Sequence, residues 1–442
     1  MRPRIVWLFL LFGCGGNNYT DLAGKCDVDS QKQYLLGWSQ DLYLWYSELP
    51  SVNLASYATP LDLFDVLRTT ATTASGHPKD KFHFTYPTTF YEQLSQSGTT
   101  AGYGITWAEF AQSPPRNFVV AFVEPGSPAE QNGIGRGAKL LSVDGVDAIA
   151  GDPDPLNAGL FFANAGEQHT IGVLDPGASA ERDVTMTAQV ISVPAVRDVA
   201  VVAGSVGYMN FNDHDAEAEK LLFDTVTSFK SQGITDLVLD MRYNGGGIID
   251  IAAEAAYMLS SPLANNGRVF ERLQFNDKHP ELAQSEPFLD TAAGWALTPG
   301  TPLPHLDLPR VFVLAEGQTC SASEAIINGL RGIDVQVVII GSQTCGKPYA
   351  FQPLDNCGTT YFSINIQGVN AKGFGDYADG FAPDCQVADD FTHALGDPQE
   401  AMLAAALQYR ADGTCPPASS NPGVLRGFDR RSVGNLLRTV IR

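Results

Sequence analysis

The chain has 442 residues, a formal net charge of −21, 44% hydrophobic residues and 10% aromatic residues. This length and composition suffice for two or three globular domains and exclude an intrinsically disordered chain. The acidic excess argues against nucleic acid as a partner, because phosphate binding needs a surface rich in lysine and arginine.

The N-terminus is typical of an export signal. Arg2 and Arg4 precede an apolar run over residues 5–12, which is too short to span a bilayer. The following Leu11–Cys14 (LFGC) resembles a bacterial lipobox, in which the cysteine is lipidated. We predict a signal peptide over 1–13, a lipid anchor on Cys14 and a location on the periplasmic side of the cell envelope. The alternative is a plain secretory signal without an anchor.

Six further cysteines fit an oxidising compartment, where an even number of thiols favours disulfides. They are Cys26, Cys320, Cys345, Cys357, Cys385 and Cys415. The sequence cannot choose among their pairings. We favour Cys320–Cys345, Cys357–Cys385 and Cys26–Cys415, with buried free thiols as the alternative. No two cysteines have C-x-x-C spacing, so we expect no metal site.

The segment before residue 99 is predicted to be helical after a short tether over 14–25. Apolar residues recur every three or four positions between Gln31 and Leu49, which predicts one amphipathic helix. Thr59 followed by Pro60 and Asp62 predicts the start of a second helix. We therefore predict an N-terminal helical domain over 26–98.

Residues 99–195 change to short β runs with glycine turns. The predicted elements are strands at 118–123, 139–143, 168–174 and 182–188 and a helix at 156–165. The segment Glu124–Glu130 (EPGSPAE) and the later Val143-Asp144-Gly145 resemble a PDZ domain of the kind found in exported proteases. The resemblance makes Gly102, Tyr103, Gly104 and Ile105 its carboxylate-binding loop, where glycines let backbone N–H groups converge on an anion.

Residues 196–410 alternate strand and helix, which predicts a layered α/β core. Apolar strands are predicted at 235–242, 310–314 and 335–340, with a helix over 216–231 that stops at Gly233. Further helices are expected from Ile248 and after Ser321. The tail over 411–442 is proline-rich and then basic around Arg430 and Arg431, and we assign it no chemistry.

Most familiar catalytic motifs are missing. The sequence has no G-x-S-x-G elbow, no H-E-x-x-H and no phosphate-binding loop. Its seven histidines have no triad or metal spacing. The polar run Asn212–Asp215 is explained by a helix start that Asp215 caps.

Three other segments share features of an active site. Asp240–Gly247 (DMRYNGGG) ends a strand in three glycines, which expose backbone N–H groups. Ser321 stands at a helix start, where an oxyanion could meet free amides, although Ser321 and Glu324 would also form an ordinary capping box. Lys347 follows an apolar strand, and its desolvation would lower the lysine pKa as a general base requires.

In this order the segments resemble family S41, the carboxy-terminal-processing proteases, and the likeness covers about residues 30–410. Gly380–Asp384 (GFAPD) also resembles a late signature of that family. The resemblance implies a ClpP/crotonase-like layered α/β protease core, a PDZ-like β domain and an N-terminal helical segment. It further implies that Ser321 is the nucleophile and Lys347 its base.

The remaining roles also come from the resemblance. Gly247 or Gly246, together with Ala322, would form the oxyanion hole. Family members often carry a glutamine four residues after the lysine, but here that position is Phe351, and Gln352 is the candidate to orient Lys347. No metal or organic cofactor is implied. The expected partners are protein or peptide substrates, with membrane contact only through the lipid anchor.

Three functions follow as hypotheses. The first is a serine endopeptidase with a Ser/Lys dyad that cleaves exported or periplasmic proteins under PDZ control. The second is a catalytically inactive peptide-binding scaffold, which Pro348 and Phe351 motivate because both depart from the family pattern. The third is a carrier of a small apolar ligand.

Overall fold

The computed structural model describes residues 19–89, 91, 99–111, 113–160, 165–419 and 426–427. The predicted signal peptide and Cys14 lie outside these residues. Within the described ranges, none of the helices combines the length and the apolar character that crossing a membrane requires.

The N-terminal segment has α1 (Val28–Leu42), α2 (Pro60–Phe64) and β1 (Phe84–Pro87) among its described residues. Helix α1 ends earlier than predicted because the Leu44 amide donates to the carbonyl oxygen of Ile364 (2.9 Å), which draws the chain away from the helix axis. Helix α2 starts as predicted, with a capping box between Thr59 and Asp62.

The helical prediction for 26–98 was too broad. Between α2 and β1 the described chain runs through turns, and β1 joins a three-stranded sheet with strands from the core. The predicted tether also differs, since the Tyr19 hydroxyl donates to Asp41 (2.7 Å) and its ring packs against Tyr34 at 5.8 Å. Residues 19–25 are therefore part of the folded N-terminal segment.

The middle domain is a β structure with two short helices. Its elements are β2 (Thr99–Gly102), β3 (Ile105–Ala111), β4 (Asn117–Val123), α3 (Pro128–Gln131), β5 (Lys139–Val143), β6 (Val146–Asp147), α4 (Pro153–Leu160), β7 (Gln168–Leu174), β8 (Arg182–Thr187) and β9 (Gln189–Ser192). The four predicted strands coincide with β4, β5, β7 and β8, and α4 begins three residues before the predicted helix. Its core is a separate cluster of buried apolar side chains that includes Trp107 and Phe118.

The C-terminal core alternates strands with helices. Its strands are β10 (Val196–Val202), β11 (Val206–Phe211), β12 (Asp236–Asp240), β13 (Val269–Gln274), β14 (Gln284–Pro287), β15 (Arg310–Ala315), β16 (Gln336–Gly341), β17 (Tyr349–Phe351), β18 (Leu354–Asn356), β19 (Thr359–Phe362), β20 (Ile364–Val369) and β21 (Cys385–Gln386). Its helices are α5 (Ala218–Gln232), α6 (Ile249–Leu259), α7 (Pro262–Asn265), α8 (Ala322–Gly332) and α9 (Ala401–Asp412). One further strand, β22 (Arg426–Gly427), pairs with the middle domain.

The main sheet of the core has the order β10-β11-β12-β15-β16-β21 and is parallel from β11 onward. Alternate residues of its central strands face two different apolar layers. Leu239 and Val313 pack with α5, α6 and α8, whereas Val238 and Phe312 pack with α9. Strands covered on both faces read as continuous apolar runs, as these do. The predicted layered α/β fold class is confirmed.

The three segments that the sequence singled out leave the same edge of this sheet. Residues 240–247 follow β12, Ser321 follows β15, and Lys347 follows β16. Neighbouring parallel strands present their carboxyl ends together, where ligands of open α/β sheets commonly bind. The fold therefore gathers residues that are more than a hundred positions apart in the chain.

Three disulfides are present, and one of them is the predicted Cys320–Cys345, with the two Cα atoms 5.2 Å apart. The other two predicted pairings were wrong, because the bonds are Cys26–Cys357 and Cys385–Cys415. Cys26 precedes α1, whose Leu35 and Trp38 share an apolar cluster with Tyr361 of β19, and the turn between β18 and β19 carries Cys357. Cys415 follows α9, which packs across the strands next to β21.

Candidate functional site

Ser321 occupies a strained backbone position between β15 and α8. Its φ of 57° and ψ of −115° are rare for a residue with a side chain. Such strain persists only where the surrounding structure enforces it, and it concentrates at functional sites. The first amide of α8, that of Ala322, has no hydrogen-bond acceptor among the described residues. The turn thus presents a partly buried hydroxyl beside a free backbone donor.

The glycine run after β12 packs directly against this turn. A Cβ on Gly246 (φ 93°) would lie 2.7 Å from the Cys320 carbonyl oxygen and 2.8 Å from the Ala322 nitrogen. A side chain therefore has no room at this position. The Gly246 amide donates to Asn244 Oδ1 (2.9 Å), whereas the Gly247 amide has no acceptor among the described residues. Ala322 and Gly247, the residue that follows Gly246, thus carry amides without an acceptor among the described residues of the serine turn and the glycine run.

Asn244 holds the glycine run and the serine turn together. Its carbonyl oxygen accepts from the Cys320 amide and from Ser323 Oγ, both at 3.1 Å. Its side-chain oxygen contacts Nδ1 of His214 at 3.0 Å. Burial lowers the pKa of His214 to about 3, so its imidazole is neutral at pH 7. His214 is thus a structural partner of the glycine run, and the nearby Asp215 accepts from the Ala218 amide at the start of α5 (3.0 Å).

Glu324, on the first turn of α8, lies fully buried beneath the serine and lysine loops. One carboxylate oxygen accepts from the Ser321 amide (3.1 Å) and from the Lys347 amide (2.8 Å). The other accepts from the Gly346 amide (2.8 Å) and from Thr344 Oγ1 (2.6 Å). Because one oxygen atom binds both amides, the backbone nitrogens of Ser321 and Lys347 are no farther apart than the sum of the two distances. Burial raises the pKa of Glu324, and these four donors oppose that shift.

Lys347 is a partly buried amine held among aromatic rings. Its Nζ lies 4.1 Å from the ring centre of Phe351 and 5.3 Å from that of Phe82. Burial lowers the pKa of Lys347 from 10.5 to about 8, although the Glu324 carboxylate opposes the shift. Among the described residues, Nζ makes no ion pair and no hydrogen bond, including none to Ser321. The structure therefore provides an amine that loses its proton easily, on the loop next to the serine.

The N-terminal segment completes the surroundings of Lys347. Phe82 comes from a stretch of the N-terminal segment. The neighbouring Lys81 fixes it to the lysine loop, because Lys81 Nζ donates to the carbonyl oxygen of Cys345 (2.6 Å). That stretch is fixed by Asp80, which accepts from the Tyr43 hydroxyl (2.7 Å) and from the Phe82 amide (3.0 Å). The N-terminal segment and the C-terminal core therefore meet at the lysine loop.

The side chain of Gln352 makes no hydrogen bond to Lys347 within the described part of the chain. The backbone amide of Gln352 donates to Asn365 Oδ1 (3.0 Å), and its side chain makes no hydrogen bond within the described residues. Gln352 lies just after β17, which ends at Phe351. Phe351, the neighbouring residue, is the one whose ring contacts Lys347. The structure thus places Phe351 where the family pattern expects a glutamine.

The predicted carboxylate-binding loop forms the turn between β2 and β3 in the middle domain, some distance along the chain from the serine. The carbonyl oxygen of Tyr103 accepts from Ala129 (3.0 Å), and that of Gly104 accepts from Glu124 (2.8 Å). Gly104 has a φ of 78°, and a Cβ there would meet the side chain of Ser127 at 2.3 Å. The loop is therefore fixed against the start of α3.

A buried charge network connects the middle domain to the glycine run. Arg136 of the middle domain donates to the Tyr243 hydroxyl (2.8 Å) and to Asp389 (2.5 Å). Asp389 also accepts from the Tyr243 hydroxyl and from Arg242 (2.6 Å). Arg242 is fully buried and also binds Glu400 (2.8 Å). Tyr243 immediately precedes Asn244, so the network ends at the candidate site.

One group of side chains has the spacing of a metal site but lacks its chemistry. Single ligand atoms of Cys320, Glu324 and Cys345 lie within 4.8 Å of one another. The two sulfur atoms are joined in a disulfide, so neither is the thiolate that a soft metal ion needs.

Several residues of the site were missed in the sequence. Glu324 was noticed only as a capping residue, although the same S-x-x-E spacing places it under both loops. Asn244 was noted only as part of the glycine-rich run. Phe82 contacts Lys347 and Lys81 donates to Cys345, and no local pattern marks contacts between segments so far apart in the chain.

Comparisons with known proteins point to one family. Residues 205–387 match the model of peptidase family S41, and residues 30–86 match that of the peptidase S41 N-terminal domain, together more than half of the chain. The chain is 26% identical over 264 residues to a carboxyl-terminal-processing protease of Picosynechococcus, covering 58% of this chain and 56% of the relative. It is 28% identical over 269 residues to the chloroplastic C-terminal processing peptidase of Tetradesmus obliquus, covering 57% and 52%. The chain thus spans little more than half the length of these relatives.

A solved structure shares the overall fold. It is a Bacteroides fragilis protein described as an S41 protease, with a TM-score of 0.67 and 23% identity. The alignment covers 86% of this chain and 97% of that protein. At this level of identity the likeness concerns the fold alone.

Proposed function

The chain belongs to peptidase family S41, and from that premise we propose that it is a serine endopeptidase that cleaves exported or periplasmic proteins with a Ser321/Lys347 dyad. The observation that carries this proposal is the carboxylate of Glu324, which binds the amides of both residues through one oxygen. It joins a strained serine to an amine whose pKa burial has lowered to about 8. A serine hydroxyl is a weak nucleophile and needs such an adjacent base.

The proposed reaction uses only groups of the chain and water. Neutral Lys347 takes the hydroxyl proton while Ser321 Oγ attacks the scissile carbonyl carbon, and the new oxyanion accepts from the Gly247 and Ala322 amides. Lys347 then gives the proton to the departing amine, which leaves an ester on Ser321. Water, deprotonated by Lys347, hydrolyses that ester and restores the hydroxyl.

Gly247 is a better candidate than Gly246 for the oxyanion hole. The Gly246 amide is already engaged by Asn244, whereas that of Gly247 is not. We assign Gly246 a steric role, because it lets the glycine run approach Ser321. Lys347 must approach Ser321 more closely than here, and catalytic hydrogen bonds are often loose before substrate binds.

The middle domain is proposed to control the site as a PDZ-like module, with the Gly102–Ile105 turn receiving a peptide carboxyl end. Support comes from Arg136, which hydrogen-bonds to Tyr243 next to the glycine run. A shift of the middle domain would therefore move the glycine run and change the positions of the oxyanion donors. We further propose that the chain is exported and held at the periplasmic side through Cys14.

A serine-reactive fluorophosphonate probe tests the nucleophile. The mature wild-type protein is expected to be labelled at Ser321, whereas Ser321→Ala is expected to be unlabelled and unable to degrade a loosely folded protein such as casein. Ser323→Ala serves as the matched control, since Ser323 Oγ donates to the Asn244 carbonyl oxygen instead of facing substrate. Labelling that persists in Ser321→Ala would remove this residue as nucleophile.

The inactive scaffold remains a second candidate because Phe351 occupies the position next to Lys347. A wild-type protein that binds peptides but takes up no probe and cleaves nothing would favour it.

Gly246→Ala is expected to lower kcat by about 10²-fold, the effect of losing one oxyanion donor. The reason is that the new Cβ would push the glycine run away from Ser321 and Ala322. Steady-state peptide cleavage measures this. Gly204→Ala is the control, since Gly204 has a similar φ of 81° but open space around its Cα. Equal activity in both variants would show that close approach at Gly246 does not matter.

A further inference from the structure

The outer edge of β3 is covered by the chain's own tail. Strand β3 pairs with β4 on one side and with β22 on the other. In the β22 pair, Arg426 stands opposite Glu109 and Gly427 opposite Ala108. A free edge strand binds extended peptides by adding them to the sheet. The tail therefore occupies the place where such a peptide would add.

The direction of the tail matches that of a bound peptide. The pairing is antiparallel, so β22 points toward the Ile105 end of β3. That end adjoins the Gly102–Ile105 turn, which we propose as the receptor for a peptide carboxyl end. A substrate whose carboxyl end enters this turn would have to run along β3 in the same direction.

The tail is anchored close to this position. Cys415 is bonded to Cys385, the Ser419 amide donates to Gln386 (3.1 Å), and Ser419 Oγ accepts from Ala388 (3.0 Å). Only residues 420–425 separate Ser419 from β22. A short tether keeps a ligand at an effective concentration of about millimolar, which an external peptide must overcome.

Charge favours the same pairing. Residues 420–442 contain five arginines and one aspartate, although the whole chain has a net charge of −21. The carboxylate of Glu109 is buried in β3. Opposite charges that face each other across an antiparallel pair stabilise it, and Arg426 has the register position opposite Glu109.

We propose that the Arg426–Gly427 segment of the tail is an intramolecular ligand of the β3 edge, that substrate must displace it, and that Glu109 selects a basic residue in the peptide that adds there. This inference rests on the proposed function of the middle domain as the peptide-binding module. It names the regulation of that module and the class of its ligand: an extended segment with arginine or lysine opposite Glu109.

A binding experiment tests the inference without any need for catalysis. A chain that ends after Ser419 keeps Cys415 and the Ser419 contacts, and it is made in the Ser321→Ala background. A fluorescent peptide of residues 421–442 is expected to bind this chain, by fluorescence anisotropy, at least about tenfold more tightly than it binds the full-length Ser321→Ala protein. Equal affinity for the two chains, or no binding to either, would overturn the inference.

A charge exchange tests the role of Glu109. The peptide with Arg426→Glu is expected to bind the shortened chain about tenfold more weakly, in line with the loss of a close charge pair. Glu109→Lys should restore the binding of that peptide and weaken the binding of the original one. If Glu109→Lys leaves both affinities unchanged, Glu109 does not select the ligand. Full-length Arg426→Glu provides a second comparison in which no residue is removed.

Activity separates a failure of this inference from a failure of the proposed function. The shortened chain with Ser321 intact is expected to cleave an unstructured basic substrate several-fold faster at low substrate concentration, and the tail peptide should inhibit it competitively. If neither truncation nor the tail peptide changes the rate of cleavage, the inference about the tail is wrong but the proposed peptidase activity stands. If the tail peptide binds but no variant cleaves any substrate, the proposed peptidase activity is wrong but the tail remains a ligand of the β3 edge.

Discussion

Replacing Lys347 by methionine is expected to lower kcat by about 10²–10⁴-fold, the range that a general base contributes. Methionine preserves much of the apolar stem that packs on Phe351 and Phe82 but has no amine to take the serine proton. Single-turnover cleavage of a fluorogenic peptide at saturating substrate measures the chemical step. Lys347→Arg should be similarly inactive, because a guanidinium stays protonated.

Lys372→Met is the matched control for this substitution. Lys372 is an exposed lysine whose Nζ pairs with Asp334 at 2.5 Å. Its loss should leave kcat unchanged and alter the free energy of unfolding by less than about 0.5 kcal/mol. If Lys347→Met cleaves as fast as Lys372→Met, Lys347 is not the base.

The pH dependence follows from the same amine. Because burial lowers the pKa of Lys347 to about 8, kcat/KM should rise with pH and level off above pH 8. At pH 7 roughly a tenth of the enzyme would hold the neutral amine. A profile that is flat between pH 6 and 9 would contradict a lysine base with this pKa.

Lys347→Met should change stability in the opposite sense to activity, because the partly buried amine destabilises the folded chain while it is charged. The unfolded chain holds the lysine proton up to its ordinary pKa of 10.5, whereas the folded chain releases it at about 8. The unfolded state thus binds more protons between these values, and the free energy of unfolding rises with pH across that window. Below it the folded state carries the full penalty of a partly buried charge. Lys347→Met should therefore be about 1–2 kcal/mol more stable than wild type at pH 7. Urea unfolding of both proteins at pH 7 and at pH 10 should show that this difference in the free energy of unfolding is smaller at pH 10.

The layered α/β core and the order of its chemical segments could be predicted from the sequence, for a physical reason. A strand buried on both faces must be apolar throughout, as in residues 311–314, and glycine-rich or polar residues must follow where it ends. The serine, lysine and glycine segments each follow such a strand. Since parallel strands end at one edge, their proximity was implied before any distance was known.

Contacts between distant segments could not be predicted in this way. Two of three disulfide pairings were wrong because Cys26 and Cys415 are placed by the packing of α1 and α9, and no local pattern reports on that packing. Phe82 reaches Lys347 for the same reason. For the tail, the sequence indicated only a basic charge. Its pairing with β3 depends on the direction in which the chain continues after α9, which no local pattern reports. Gln352 was proposed because it follows the family's glutamine position, and Phe351, which occupies that position, is the residue whose ring contacts the amine.

Glu324 does more than cap the start of α8, because its carboxylate also binds the lysine loop. Glu324→Ala is expected to lower the free energy of unfolding by about 3–5 kcal/mol, because it leaves four buried donors without their acceptor. These are the amides of Ser321, Gly346 and Lys347 and the hydroxyl of Thr344. Activity should fall with stability, since the one atom that joins the serine and lysine loops is removed.

The chain contains a control that separates this role from ordinary capping. Asp62 forms the same kind of capping box with Thr59 at the start of α2, but it is exposed and binds one amide (2.9 Å). Asp62→Ala should cost about 1 kcal/mol and leave cleavage intact. Chemical unfolding of both variants, with cleavage measured where each is still folded, compares them directly. A cost for Glu324→Ala as small as that for Asp62→Ala, with full activity, would mean that Glu324 merely caps α8. Glu324→Gln refines the test, because its amide retains one acceptor oxygen while its NH₂ group faces donors, so it should fall between wild type and alanine in both measurements.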